Sequence, residues 1–117
     1  MKNEDFKNVK SVYSNITREL PNVEKIVLFG SAVKNEHYDD IDLLVVYKDI
    51  LDIPKLTMIC ENIKKERGYN FSIQHLFDYS SCSLHHMDNL HILYANKNEL
   101  CINHPIIDNV KKGYVLS

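Results

Sequence analysis

The stretch FGSAVKNEHYDDIDLLVV, residues 29–46, decides the reading of this chain. Its second half, IDLLVVY at 41–47, is an apolar run of strand length, yet it opens on two carboxylates, Asp40 and Asp42. An apolar run that continues on both faces belongs to a strand covered on both sides. An ionised carboxylate buried there without a partner is costly, so the pair demands a compensating charge. Just upstream, VEKIVLF at 23–29 is rich in β-branched and aromatic residues and stops at Gly30, which predicts a first strand ending in a turn.

Working outward, Phe6, Val9, Tyr13, Ile16 and Leu20 recur at steps of three and four, one face of an amphipathic helix closed by Pro21. SAVKNEHYDD reads as a turn or short helix between the two strands. Pro54 suits the first turn of a second long helix, with Leu56, Ile59, Cys60 and Ile63 as its apolar stripe and Gly68 as its stop. YNFSIQHLF at 69–77 alternates and predicts a third strand, with Ser72 and Gln74 facing a cleft. Beyond it, 80–90 suits a helix, ILYANKNELCI a hairpin or a strand and turn, HPIIDNVKKG a short helix, and GYVLS an added strand or packed tail. The expected fold class is α/β (α+β), a small mixed sheet with flanking helices, in one domain over 1–117.

Composition narrows the function classes. At 117 residues, 44% apolar and 26% charged, the chain can close a hydrophobic core unaided. Fourteen basic against sixteen acidic side chains leave a formal charge of −2, so strong nucleic-acid binding is not expected. No apolar run reaches the ~20 residues of a membrane span and the first residues are too polar for a secretory signal, so a cytoplasmic location is expected. Cys60, Cys82 and Cys101 form no CxxC pair and read as buried small apolar residues.

Side chains two apart on a strand share a face, which would put the Asp40 and Asp42 carboxylates ~6–7 Å apart. At an effective dielectric near 20, two charges at that distance repel by roughly 2.5 kcal/mol. A divalent cation turns this repulsion into coordination. Hard oxygens with no imidazole or thiolate in view suit Mg²⁺ or Mn²⁺ over zinc. Taken alone, an Asp-x-Asp is more often solvated turn chemistry. Here the Gly30-Ser31 turn, able to offer backbone N–H groups and a hydroxyl to a phosphate, and the apolar run directly after the acids argue for a metal–nucleotide site between the first two strands.

At these residues the chain resembles the polymerase-beta-like nucleotidyltransferase superfamily, most closely its minimal nucleotidyltransferase type: an apolar strand, Gly-Ser, a spacer, then Asp-apolar-Asp and an apolar continuation. The resemblance implies that Gly30 and Ser31 form a phosphate-binding turn, that Lys34 takes the place of a usual arginine, and that Asp40 and Asp42 are the catalytic metal ligands. It implies transfer of a nucleoside monophosphate from a nucleoside triphosphate, ATP being the natural candidate, to an acceptor hydroxyl. In that family the acceptor is often a separate helical HEPN-type protein, the pair acting as antitoxin and toxin; self-association is a further option.

The resemblance also implies a third carboxylate on the next strand, and none stands between Glu66 and Asp78. Gln74 could offer a neutral oxygen but is no base, and Asp78 lies past the strand. Either the third acid comes from elsewhere, or the chain is a degenerate domain that binds a nucleotide and neutralises or scaffolds a partner. The remaining features read more plainly. His85-His86 lacks helical metal-ligand spacing; Lys64, Lys65 and Arg67 favour a helix C-terminus; Tyr38, near the acids, could stack on a base or simply pack.

Overall fold

A computed structural model describes residues 1–79 and 89–117. The elements run α1 (Asn3–Glu19), β1 (Val23–Phe29), α2 (Ser31–Lys34), β2 (Ile41–Tyr47), α3 (Ile53–Arg67), β3 (Phe71–His75), β4 (Leu90–Asn96), α4 (Pro105–Lys111) and β5 (Tyr114–Val115). Short 3₁₀ turns follow β3 at Leu76–Asp78 and β4 at Lys97–Cys101.

The strands form one mixed sheet in the order β3-β4-β2-β1-β5. β1 runs antiparallel to β2 and β5, whereas β2 and β3 both run parallel to β4. β2, covered on both faces, is buried along nearly its whole length, as its apolar run requires. Ile41, Leu43 and Val45 pack with Val9, Val12 and Ile16 of α1 and Leu56, Ile59, Cys60 and Ile63 of α3. Leu44 and Val46 face the other way, with Val27, Phe29, Leu93 and Ala95, onto Ile107 and Val110 of α4 and onto Leu76. The period of two therefore assigns Asp42 to the α4 side of the sheet.

The local signals act where the sequence places them. Asp52 caps α3 by accepting from Lys55 N at 3.0 Å, Pro54 sits in its first turn, and Gly68 closes it in a left-handed conformation at φ 78°. Asn96 and Glu99 form a reciprocal capping box that turns the chain out of β4, so the hairpin option for this segment is not what forms. GYVLS supplies β5, and Leu116 N donates to Ile26 O at 2.9 Å.

Three expectations need correction. Residues 69–77 do not continue as strand to 77, because the chain bends into a 3₁₀ turn at Leu76. β3 is also not the neighbour of β2: β4 lies between them, and β3 is the sheet edge. Cys60 is core, but Cys101, at the end of a surface turn, is exposed. The helix expected over 80–90, with Cys82 and the His85-His86 pair, lies almost wholly outside the described residues.

Candidate metal and nucleotide site

The register of the sheet builds the site. Phe29 pairs with Asp42, Asp42 with His91 and His91 with Ser72, a row that crosses β1, β2, β4 and β3. Asp42 and His91 are 6% and 2% exposed. Asp40 precedes β2 on the incoming loop, with its side chain 34% exposed, so strand spacing does not set its distance from Asp42. One ligand atom from each of Asp40, Asp42 and His91 lies within 4.8 Å of the other two, and His91 Nε2 stands 3.1 Å from Asp40 Oδ2.

His91 is the residue that sequence reasoning missed. The expectation places the third ligand on β3, the next strand in the chain, whereas the strand beside β2 is β4. The signal available was a lone imidazole in the otherwise apolar run LHILYA, a strand that forms parallel to β2. Ser72, expected to face the cleft, instead supports His91 from one strand further out, Oγ to Nδ1 at 3.1 Å. Gln74 pairs with Leu93 rather than with the acids, and its buried Nε2 has no hydrogen-bond partner among the described residues. Neither Gln74 nor Asp78 belongs to the cluster, which among the described residues contains two acids and an imidazole.

Tyr79 was also unforeseen, and no pattern in the sequence marked it. The 3₁₀ turn after β3 delivers its hydroxyl to Asp42, where it donates to Oδ1 at 3.0 Å. Burial, reinforced by the charge of Asp40, pushes the Asp42 carboxyl up to about 6 against the opposing pull of the Tyr79 hydrogen bond and His91. Burial and the adjacent Asp42 charge raise the Tyr79 phenol as well, so it remains a donor.

Gly30 completes the geometry. Its backbone lies at φ 83°, ψ −154°, a region open essentially to glycine, and a Cβ there would stand 2.5 Å from Asp42 Oδ2. The second Asp42 oxygen thus faces space that only glycine leaves free. Gly30, Ser31 and Lys34 line a cleft of about 550 Å³ together with Asp40, Asp42 and His91; its far wall is the start of α4, including His104, Ile106 and Asn109. All five residues singled out from the sequence therefore reach one cleft. Tyr38 does not line it: its hydroxyl donates to Asp5 and accepts from Lys2 N at 3.0 Å, which ties the loop before Asp40 to α1.

The donor set fits a divalent ion. With bonds of about 2.1 Å, adjacent donors of an octahedral ion lie about 3 Å apart, close to the His91–Asp40 separation. Since a carboxylate only accepts, Nε2 of His91 carries a proton in its pairing with Asp40; with that proton on Nδ1 instead, Ser72 Oγ accepts it and Nε2 is freed for an ion.

A family model described as polymerase beta, nucleotidyltransferase matches residues 12–107. The chain belongs to that family. The match spans both strands of the Gly-Ser and Asp-x-Asp segment and also β4 with His91. The fold is similar to the crystal structure of a "putative nucleotidyltransferase" from Sulfolobus solfataricus, with a TM-score of 0.52, 18% identity, and 93% of this chain and 76% of that chain covered. At that identity the likeness concerns the fold. No curated protein matches the chain. Among the described residues, no helix of this nucleotidyltransferase-family chain is long and apolar enough to cross a membrane.

Proposed function

We propose that this nucleotidyltransferase-family chain is a metal-dependent enzyme that transfers a nucleoside monophosphate from a nucleoside triphosphate, ATP first among them, to an acceptor hydroxyl. One observation carries the reading: Asp40, Asp42 and His91 converge in a cleft that the Gly30-Ser31 turn lines directly beside Asp42. Asp40, Asp42 and His91 would hold the divalent ion, which when bound neutralises phosphate charge and stabilises in-line displacement at phosphorus. Gly30 and Ser31 bind the phosphate tail through backbone N–H groups and a hydroxyl, and Lys34 adds a cation in the same cleft. Tyr79 orients Asp42 through its hydrogen bond, while Pro105 and Ile106 of α4 offer apolar surface to a base. The acceptor we favour is a separate HEPN-type helical protein, the pair forming an antitoxin and its toxin, in line with the resemblance to minimal nucleotidyltransferases.

The third position favours a second reading. Among the described residues an imidazole stands where a carboxylate is expected, which removes an anion from the site, and a domain so altered binds nucleotide and masks a partner without turnover. Incubation with labelled ATP and Mg²⁺ or Mn²⁺, alone and with the polypeptide encoded beside it, separates the two. Label transfer by the wild type that disappears in Asp42→Ala supports the enzyme. Nucleotide or partner binding with no transfer to any acceptor supports the binding protein.

A further inference from the structure

We propose that His91 turns the Asp40–Asp42 site away from magnesium and toward nitrogen-accepting first-row ions, so that Co²⁺ binds more tightly than Mn²⁺ and Mn²⁺ more tightly than Mg²⁺. The inference rests on the metal-binding part of the proposed function and concerns which ion the site takes.

Three features carry it. The first is the donor set. Mg²⁺ prefers hard, charged oxygen and dehydrates reluctantly, whereas imidazole suits the later ions of the row. Among the described residues the third donor is an imidazole in place of a carboxylate, which leaves the site one negative charge poorer and costs Mg²⁺ most. The second is rigidity. His91 is 2% exposed on β4, paired to β2 on one side and to β3 on the other, so the ring is confined beside Asp40 and Asp42 rather than free to leave the ligand shell. The third is the support behind it. Ser72 Oγ lies 3.1 Å from Nδ1, where it accepts the proton of the ligating tautomer, the outer partner that metal-bound histidines regularly have. On the other ligand, Tyr79 occupies Oδ1 of Asp42 and leaves Oδ2 facing the space beside Gly30, which suits single-oxygen ligation.

The test is calorimetric titration of Mg²⁺, Mn²⁺ and Co²⁺ into chelator-treated protein, with pulsed EPR of the Mn²⁺-loaded form. The wild type is expected to bind Co²⁺ about tenfold or more tighter than Mg²⁺, and bound Mn²⁺ to show ¹⁴N coupling from a ring nitrogen. His91→Asp should narrow or invert the preference and abolish the coupling. Where His91→Asp fails to fold, as judged by circular dichroism, His91→Asn and the wild-type spectrum decide. Equal affinity for Mg²⁺ and Co²⁺ in the wild type, or Mn²⁺ bound without ¹⁴N coupling, overturns the proposal and leaves nucleotidyl transfer intact. Absence of binding by all three ions overturns this inference and the metal-dependent reading together, and leaves His91 as a hydrogen-bond donor to Asp40.

Discussion

Asp42 is held in the sheet at a standing cost. Its carboxyl sits at about 6 in the folded chain against an ordinary 3.8, so the folded state holds the proton more tightly than the unfolded state does. The stability this protonation confers is fully present below pH 3.8 and is lost as pH rises through about 6. At roughly 1.4 kcal/mol per tenfold, the loss amounts to about 3 kcal/mol. Asp42→Asn, neutral at every pH and still able to accept from Tyr79, should therefore match the wild type in acid and exceed it by up to that amount in mild alkali. Urea unfolding of chelator-treated proteins at about pH 4 and about pH 8 measures the difference. Gly30→Ala should act in the opposite direction, since its Cβ would collide with Asp42 Oδ2 and its φ of 83° disfavours any side chain. A loss of about 1–2 kcal/mol is expected, with weakened metal binding by calorimetry. At this scale the sequence was readable where chemistry and chain order coincide: Gly30, Ser31, Lys34, Asp40 and Asp42 lie within thirteen positions of one another. His91 is separated from Asp42 by most of the remaining chain, and only the pairing of β4 with β2 makes them neighbours.

Elements were legible in proportion to how local their signals are. α1, α3, β1 and β2 announce themselves through period and stop signals, and α3 in particular through Pro54 and Gly68, whereas its Asp52 cap is a finding of the structure. Asp52→Ala should cost about 1 kcal/mol in urea unfolding and leave nucleotide and metal binding unchanged, since Asp52 lies outside the cleft. Strand order is different: β3 precedes β4 in the chain but lies outside it in the sheet, and nothing in the alternation of either strand encodes that exchange. The loop 35–40 was readable as a connection but not as an anchored one. Tyr38 and Tyr69 both donate to Asp5, and Asn8 donates to Tyr69 while accepting from Arg67, so four hydrogen bonds clasp the loop and the end of α3 onto α1. Asp5→Ala removes the acceptor that both tyrosines share. A stability loss of about 1–3 kcal/mol is expected, together with weaker metal binding, because Asp40 follows Tyr38 by two residues. Urea unfolding and calorimetry on the same sample check both effects.

Across the whole molecule, the cleft depends on how closely the last helix approaches the sheet. Gly113, between α4 and β5, lies where a Cβ would stand 2.6 Å from Leu28 O and 2.8 Å from Val27 Cγ1. Gly113→Ala should lift the end of α4 from β1, costing about 1–3 kcal/mol. It should lower nucleotide affinity more than metal affinity, since α4 lines the cleft while the ligand cluster is on β2, β4 and their approaches. Parallel calorimetry with Mn²⁺ and with ATP discriminates the two. The insertion of β4 between β2 and β3 also reaches into biosynthesis. As the polypeptide leaves the ribosome, β1 and β2 can close as neighbours, yet β3 emerges before β4, the strand it will hydrogen-bond to. Until residue 90 and its successors arrive, the open edge of β2 is an apolar template on which a second nascent copy can pair, so aggregation during synthesis is set by how quickly β4 follows.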